Sequence, residues 1–125
     1  MVHSVQGRGY RLAEPIELLD ENRIRGELGD QGKALDALYV HERIDSTNAE
    51  LARRGGPGMQ ACLAEYQSAG RGRARRPWTS PFGANLYVSL AADVAATRAP
   101  LGALSLAVGV CVIEALRDLG ATDLA

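Results

Sequence analysis

Cysteine is scarce in this 125-residue chain: Cys62 and Cys111 stand far apart and outside any metal-ligand spacing. A disulfide framework and a thiolate zinc site are therefore excluded as its organising element. Nothing at the N-terminus reads as a secretory leader, and a reduced, cytoplasmic setting is expected. Histidine is equally sparse, with His3 and His41 lacking partners at ligand spacing, so no metal site is expected. No sign of charge dominates. Fourteen Lys and Arg against fifteen Asp and Glu leave a net charge of -1, without the overall basic excess of a protein that coats nucleic acid. Long apolar runs are missing too. The longest, Leu101 to Ile113, stops at Glu114 and falls short of a bilayer of about 30 Å, so no membrane role is expected. There is no internal repeat and no low-complexity tract. The 46% of hydrophobic residues suffice for one core of ordinary size, and both cysteines are expected in it.

Segment by segment, the reading is of strands mixed irregularly with helices. Val2 to Leu12 reads as a short hairpin with Gly7 and Gly9 supplying the turn. Pro15 marks a boundary, and Asp20 caps a short helix in which Ile24 and Leu28 share a face. After a polar loop from Gly29 to Lys33, Leu38 to Glu42 reads as a strand. Thr47 and Glu50 have the spacing of a capping box, so Thr47 is expected to cap a helix running to about Arg54, which Gly55-Gly56-Pro57-Gly58 ends. Ala61-Cys62-Leu63-Ala64 fits a buried strand, and Asn85 to Leu90 puts Leu86, Val88 and Leu90 on one face of another. Leu101 to Leu119 reads as a long helix, apolar nearly all round until Glu114 and packed between a sheet and other helices. This order implies an α+β or mixed α/β fold, distinct from a doubly wound parallel sheet.

Chemistry concentrates between the last two strands. Gly70-Arg71-Gly72-Arg73-Ala74-Arg75-Arg76-Pro77-Trp78 holds four arginines in a loop joining strands. Arginine's planar fork donates paired hydrogen bonds to carboxylate or phosphate and keeps its charge at any working pH. Gly70 and Gly72 are expected to bring the backbone close to a ligand and to adopt positive φ. A solvated arginine-rich surface has no need of alternating glycines, nor of an indole that normally seeks burial. A second reading, an arginine hook in the DNA minor groove, wants a disordered surround. Here strands flank the loop.

The stretch from Glu65-Tyr66-Gln67-Ser68-Ala69-Gly70-Arg71-Gly72-Arg73 to Trp78-Thr79-Ser80-Pro81-Phe82-Gly83-Ala84-Asn85-Leu86-Tyr87 resembles the biotin-binding loop and following strand of biotin protein ligases. About twenty residues upstream, Ile44-Asp45-Ser46-Thr47-Asn48 resembles that family's second signature, which opens a helix beside the biotin ring. Residues 1–14, with Gly7-Arg8-Gly9-Tyr10, are similar to the wing of a winged helix in members that are both ligase and repressor of biotin synthesis. The resemblance implies an α+β fold for residues 15–125, a mixed sheet with helices, related to class II aminoacyl-tRNA synthetases. It implies the N-terminal half of that catalytic domain, preceded by a winged-helix remnant. Beyond both ends the family carries more, a helix-turn-helix before and a Lys-Trp-Pro-Asn-Asp motif after, so a fragment is expected, inactive on its own.

The implied activity is ATP-dependent. Biotin and ATP, with Mg²⁺, form biotinyl-5′-AMP, and biotin passes to a lysine of the biotin carboxyl carrier protein of acetyl-CoA carboxylase. Operator DNA is an implied partner if the whole protein has the helix-turn-helix, and a homodimer is an implied assembly of the full-length protein. Ser46, Thr47 and Gln67 are implied at the ureido ring of biotin, with Asn48 beside them. Gly70, Arg71 and Gly72 are implied at the ring and tail through backbone groups, and Arg73, the implied catalytic residue, at the junction of carboxylate and phosphate. The loop over the adenylate comprises Arg71, Gly72, Arg73, Ala74, Arg75, Arg76 and Trp78. Leu86 and Tyr87 are the candidates for an apolar wall. Where Arg75 stands the family commonly has glycine, and Pro77 fixes φ at a variable position, so this loop is expected to be stiffer. The alternatives are a nucleic-acid-binding module using the Gly/Arg loop and wing, and the related lipoate ligase group.

Overall fold

The computed structural model describes residues 2–5, 7, 9–12, 15–72, 74, 76–94 and 101–122. The chain divides into two units, Met1–Asp93 and Val94–Ala125, each treated by itself. In the first, β1 (Val2–Val5) and β2 (Gly9–Leu12) pair antiparallel. Gly7 between them has φ of 73°, a left-handed conformation that costs glycine little. The expected hairpin is present, with Gly9 in the strand and not in the turn.

Asp20 caps α1 (Glu21–Leu28), its side chain accepting from the Arg23 N–H at 2.8 Å. The loop expected after it is a 3-10 helix over Gly29–Ala34. The sheet is built from β3 (Ala37–His41), β4 (Gln60–Ala64) and β5 (Tyr87–Ala91) in that order. Between β3 and β4 lies α2 (Thr47–Arg54), the crossover that two parallel neighbours require. β5 pairs antiparallel with β4. The result is a small mixed α+β unit, as the order of elements implied.

All five residues of central β4 are buried, as a near-continuous apolar strand covered on both faces should be. Leu38, Ala61 and Leu63 form a core cluster with Leu19, Ile24, Leu35 and Val40 packed against it. Each buried leucine there contributes about 1.5–3 kcal/mol. Cys62 is fully buried, and burial pushes its thiol up to about 11, which leaves it a core residue with little nucleophilic character. Cys111, expected in a core, is exposed. Leu86, just before β5, and Val88 and Leu90 on it face outward, whereas Tyr87 is buried and Ser89 half-buried on the other side.

The start of α2 differs from the capping box by one residue. Ser46, with extended backbone, is the N-cap, its Oγ accepting from the Ala49 N–H at 3.4 Å. Thr47 is the first helical residue, and Glu50 reaches forward to Arg53 and Arg54 instead of back to the cap. Gly55 ends the helix with φ of 58° and its N–H on the Leu51 carbonyl. Gly58 is more constrained: its φ is 85°, and a Cβ there would fall 2.2 Å from Asp36 Oδ2, which accepts from the Met59 N–H.

In the second unit a 3-10 turn over Leu101–Ala103 leads into α3 (Leu104–Asp118). Among the described residues no helix is long and apolar enough to cross a membrane.

Candidate functional site

Past the ends of β3 and β4 the two signatures are joined by main-chain hydrogen bonds. The Glu65 N–H donates to the His41 carbonyl at 3.0 Å, and the Ile44 N–H to the Tyr66 carbonyl at 3.1 Å. Ser68 and Ala69 N–H groups then donate to the carbonyls of Ile44 and Asp45 at 2.9 and 2.8 Å. Segments about twenty residues apart in sequence thus lie side by side at the N-terminus of α2.

There Gln67 meets the helix. Its Oε1 accepts from the Thr47 backbone N–H at 2.8 Å and from Thr47 Oγ1 at 3.2 Å, satisfying one of the donors that every helix start leaves over. Thr47 is only 3% exposed, so these bonds are sheltered from water. On its far side Thr47 Oγ1 lies 2.8 Å from Ser89 Oγ on β5.

Asp45, at the head of the Asp-Ser-Thr-Asn signature, ties the helix down. Arg53 donates to its two carboxylate oxygens at 2.6 and 2.9 Å, and the Ser46 N–H adds a bond of 2.8 Å. The Arg53 fork, then the Ser46 amide, hold the Asp45 carboxyl well below the usual carboxylate range. Arg53 and Arg54 likewise lower Glu50. Arg54 also lies 3.9 Å from the centre of the Tyr39 ring.

The Gly/Arg loop is pinched. Arg71 and Pro77 form an antiparallel bridge, and the Gly72 N–H donates to the Arg76 carbonyl at 3.0 Å. Neither Gly70 nor Gly72 has positive φ; Ala74 does, at 57°, a conformation costing an L-residue about 1–2 kcal/mol. What Gly70 supplies is room for the indole. A Cβ on Gly70 would lie 3.2 Å from Trp78 Cδ1, 3.3 Å from Gln67 Nε2 and 3.3 Å from Ser80 Oγ. One on Gly72 would lie 3.5 Å from Trp78 Cε3. Trp78 stands against the loop backbone with 55% of its surface still open. Beyond it the Tyr87 hydroxyl donates to the Pro81 carbonyl at 3.1 Å and accepts from Asn85 Nδ2 at 3.0 Å, which anchors the return into β5.

These elements surround a cleft of about 410 Å³, within the size range of small-molecule sites. Of the expected residues, Ser46, Thr47, Asn48, Gln67, Arg71 and Trp78 line it, as do Leu86 and Tyr87. Gly70, Gly72, Ala74 and Arg76 belong to the loop without lining it. Arg73, expected at the reacting carboxylate, and Arg75 lie outside the described residues. Ser89 and Asp45 are lining residues given no role by the sequence. Ser89 is legible only in retrospect, as the polar residue on the inner side of β5. Among the described residues no group of three His, Cys, Asp or Glu side chains converges.

The chain matches the model of the Biotin/lipoate A/B protein ligase family over residues 40–124. It is 48% identical over 122 residues to the bifunctional ligase/repressor BirA of Salmonella typhimurium, covering 96% of this chain and 37% of that one. Against the Escherichia coli protein of the same name the identity is also 48%, over 96% and 36% of the two chains. The biotin--[acetyl-CoA-carboxylase] ligase of Mycobacterium tuberculosis is 34% identical over 106 residues, 81% of this chain and 40% of that one. The chain thus spans little more than a third of these relatives' length. The matched region contains both signatures, helix α2, strands β4 and β5 and the whole lining of the cleft, and the chain belongs to the biotin/lipoate A/B protein ligase family.

Proposed function

We propose that this chain is the biotin-binding part of a biotin protein ligase. The observation that carries the reading is the cleft at the start of α2, where Thr47 and Gln67 present hydroxyl and amide groups beside Trp78 and the apolar Leu86. A ureido ring needs both donors and acceptors, and a fatty tail needs apolar walls. The names of the relatives, ligase and ligase/repressor, agree with this reading.

In the first step a carboxylate oxygen of biotin attacks the α-phosphorus of ATP, a phosphoanhydride bond breaks, and pyrophosphate leaves. Two anions meet, so the barrier falls chiefly through positioned positive charge. Mg²⁺ accompanying the nucleotide would supply part of that charge. By resemblance, Arg71, on the cleft wall, meets the ring and tail through its backbone, and Arg73 takes the junction of carboxylate and phosphate. In the second step a neutral lysine amine of the carrier domain attacks the acyl carbon. The amide forms, AMP departs, and the amine proton passes to solvent. Before that the mixed anhydride must be shielded from water. Trp78, held against Gly70 and Gly72, gives the loop an apolar face for that shielding.

The proposal extends to the rest of the protein. Residues 1–14 are the wing of a winged helix, supported by the β1–β2 hairpin. The mixed sheet is the first part of a catalytic domain of the class II aminoacyl-tRNA synthetase kind. The whole protein works in the cytoplasm on the biotin carboxyl carrier protein of acetyl-CoA carboxylase, and as a dimer it represses transcription at operator DNA. The test is to incubate the full-length protein with biotin, ATP, Mg²⁺ and a carrier domain. Biotin-dependent release of pyrophosphate followed by labelling of one carrier lysine is expected, and absence of both would overturn the assignment.

A further inference from the structure

The polar groups of the cleft can be assigned their protons from a single fixed point, the backbone N–H of Thr47. That group can only donate, so the Gln67 atom 2.8 Å from it is the carbonyl oxygen, and Nε2 is turned the other way. Gln67 Oε1 in turn can only accept. The Thr47 hydroxyl, 3.2 Å from it, must therefore spend its one proton there; pointed elsewhere, two oxygens would face each other lone pair to lone pair in a buried site. With that proton committed, Thr47 Oγ1 is an acceptor toward Ser89, and the 2.8 Å contact between the two hydroxyls runs one way, Ser89 donating. Both lone pairs of Gln67 Oε1 are then used. The groups left for a ligand are the two N–H donors of Gln67 and the remaining lone pair of Thr47.

We infer that Ser89 is a positioning residue for ligand recognition: by donating to Thr47 it holds the Thr47 hydroxyl as an acceptor and completes a relay that leaves the cleft with a donor at Gln67 and an acceptor at Thr47. The complement of that pair is a carbonyl oxygen with an adjacent N–H, as in a cyclic urea. This deepens the biotin ligase reading and rests on it. Ser89 acts through Thr47, so its effect depends on the Thr47 hydroxyl being present. That distinguishes it from a residue that merely fills space on β5.

The experiment measures biotin affinity and steady-state kinetics in the full-length protein for wild type, Ser89→Ala, Ser89→Thr, Thr47→Val and the Ser89→Ala/Thr47→Val pair. Loss of one sheltered hydrogen bond should weaken biotin binding in Ser89→Ala by about tenfold, raising KM for biotin while kcat and KM for ATP hold. Ser89→Thr restores the hydroxyl and should return affinity to within about twofold of wild type. The double variant should match Thr47→Val alone, since the relay is already broken there. Wild-type affinity in Ser89→Ala would overturn the inference, and so would losses that multiply in the double variant. Failure of the wild type itself to bind biotin would overturn the ligase reading, and this inference with it.

Discussion

Gln67 serves the fold and the cleft at once, and the two roles can be separated by one isosteric change. Its oxygen caps α2 through the Thr47 N–H, while its Nε2 is turned away from that bond. In Gln67→Glu a carboxylate oxygen accepts the same two bonds, and its charge is welcome at a helix N-terminus, so thermal stability should hold. The N–H donors are lost, at about 1.5–3 kcal/mol, and biotin should bind about tenfold to a hundredfold more weakly. Calorimetric titration beside a melting curve checks both halves; a fall in melting temperature with affinity intact would reverse the assignment. For Arg73 the expectation rests on resemblance. Arg73→Ala removes a charge-assisted bond at the carboxylate and phosphate, so the adenylate should dissociate about tenfold to a hundredfold faster. Stray lysines on other proteins then become labelled. The off-rate in Arg73→Ala beside Arg76→Ala is the measurement, and an unchanged rate in the first would remove Arg73 from the reaction.

Helix α2 is short, and what aims it is its pair of ends. At the front, Asp45 binds Arg53 across more than two turns of chain. A carboxyl whose folded pKa lies below its unfolded value stabilises the fold above the unfolded value, and loses that contribution as pH falls toward the folded one. With Asp45 and Glu50 both lowered, this part of the stability is whole at neutral pH and declines from about pH 4 downward. Asp45→Asn should therefore melt below wild type at pH 7, with a gap that narrows in acid and at high salt. A gap independent of pH would mean that the ion pair is not what holds the helix. At the back, Gly58→Ala meets both a left-handed backbone and the Asp36 carboxylate. A loss of about 2–3 kcal/mol is expected in denaturant unfolding, and its control is Gly26→Ala, inside α1 with nothing within 4 Å of the added carbon, where a gain of about 0.5–1 kcal/mol is expected because alanine is the better helix former.

At the scale of the molecule, the cleft borders an exposed apolar face. Leu86, just before β5, and Val88 and Leu90 on it stand 64%, 49% and 62% exposed, a row of apolar side chains left to water. The chain corresponds to little more than a third of its relatives. The 125-residue chain alone is therefore expected to leave a carrier domain unlabelled in the presence of biotin, ATP and Mg²⁺, while the full-length protein labels it. Avidin blotting of both reactions decides it, and robust labelling by the short chain would show that the essential groups all lie within these residues.

Which residue types gather, and in which order, was legible in the chain before any coordinates. The Gly/Arg loop between two strands, the helix after Asp45 and the glycine stop at Gly55 are local matters, governed by side-chain chemistry and backbone conformation within a few residues. Registers and partners were not legible at that level. The helix cap moved from Thr47 to Ser46 because Gln67, about twenty residues on, supplies the oxygen that the Thr47 N–H needs. Gly70 proved to matter for the closeness of Trp78, and neither Gly70 nor Gly72 for its own φ, a matter of what lies across space. Ser89 reads as an ordinary strand residue until β5 is paired with β4 and brought under α2. A hydrogen bond between positions 47 and 89 exists only once the sheet has set its register, and that long-range pairing is what the tertiary structure decided.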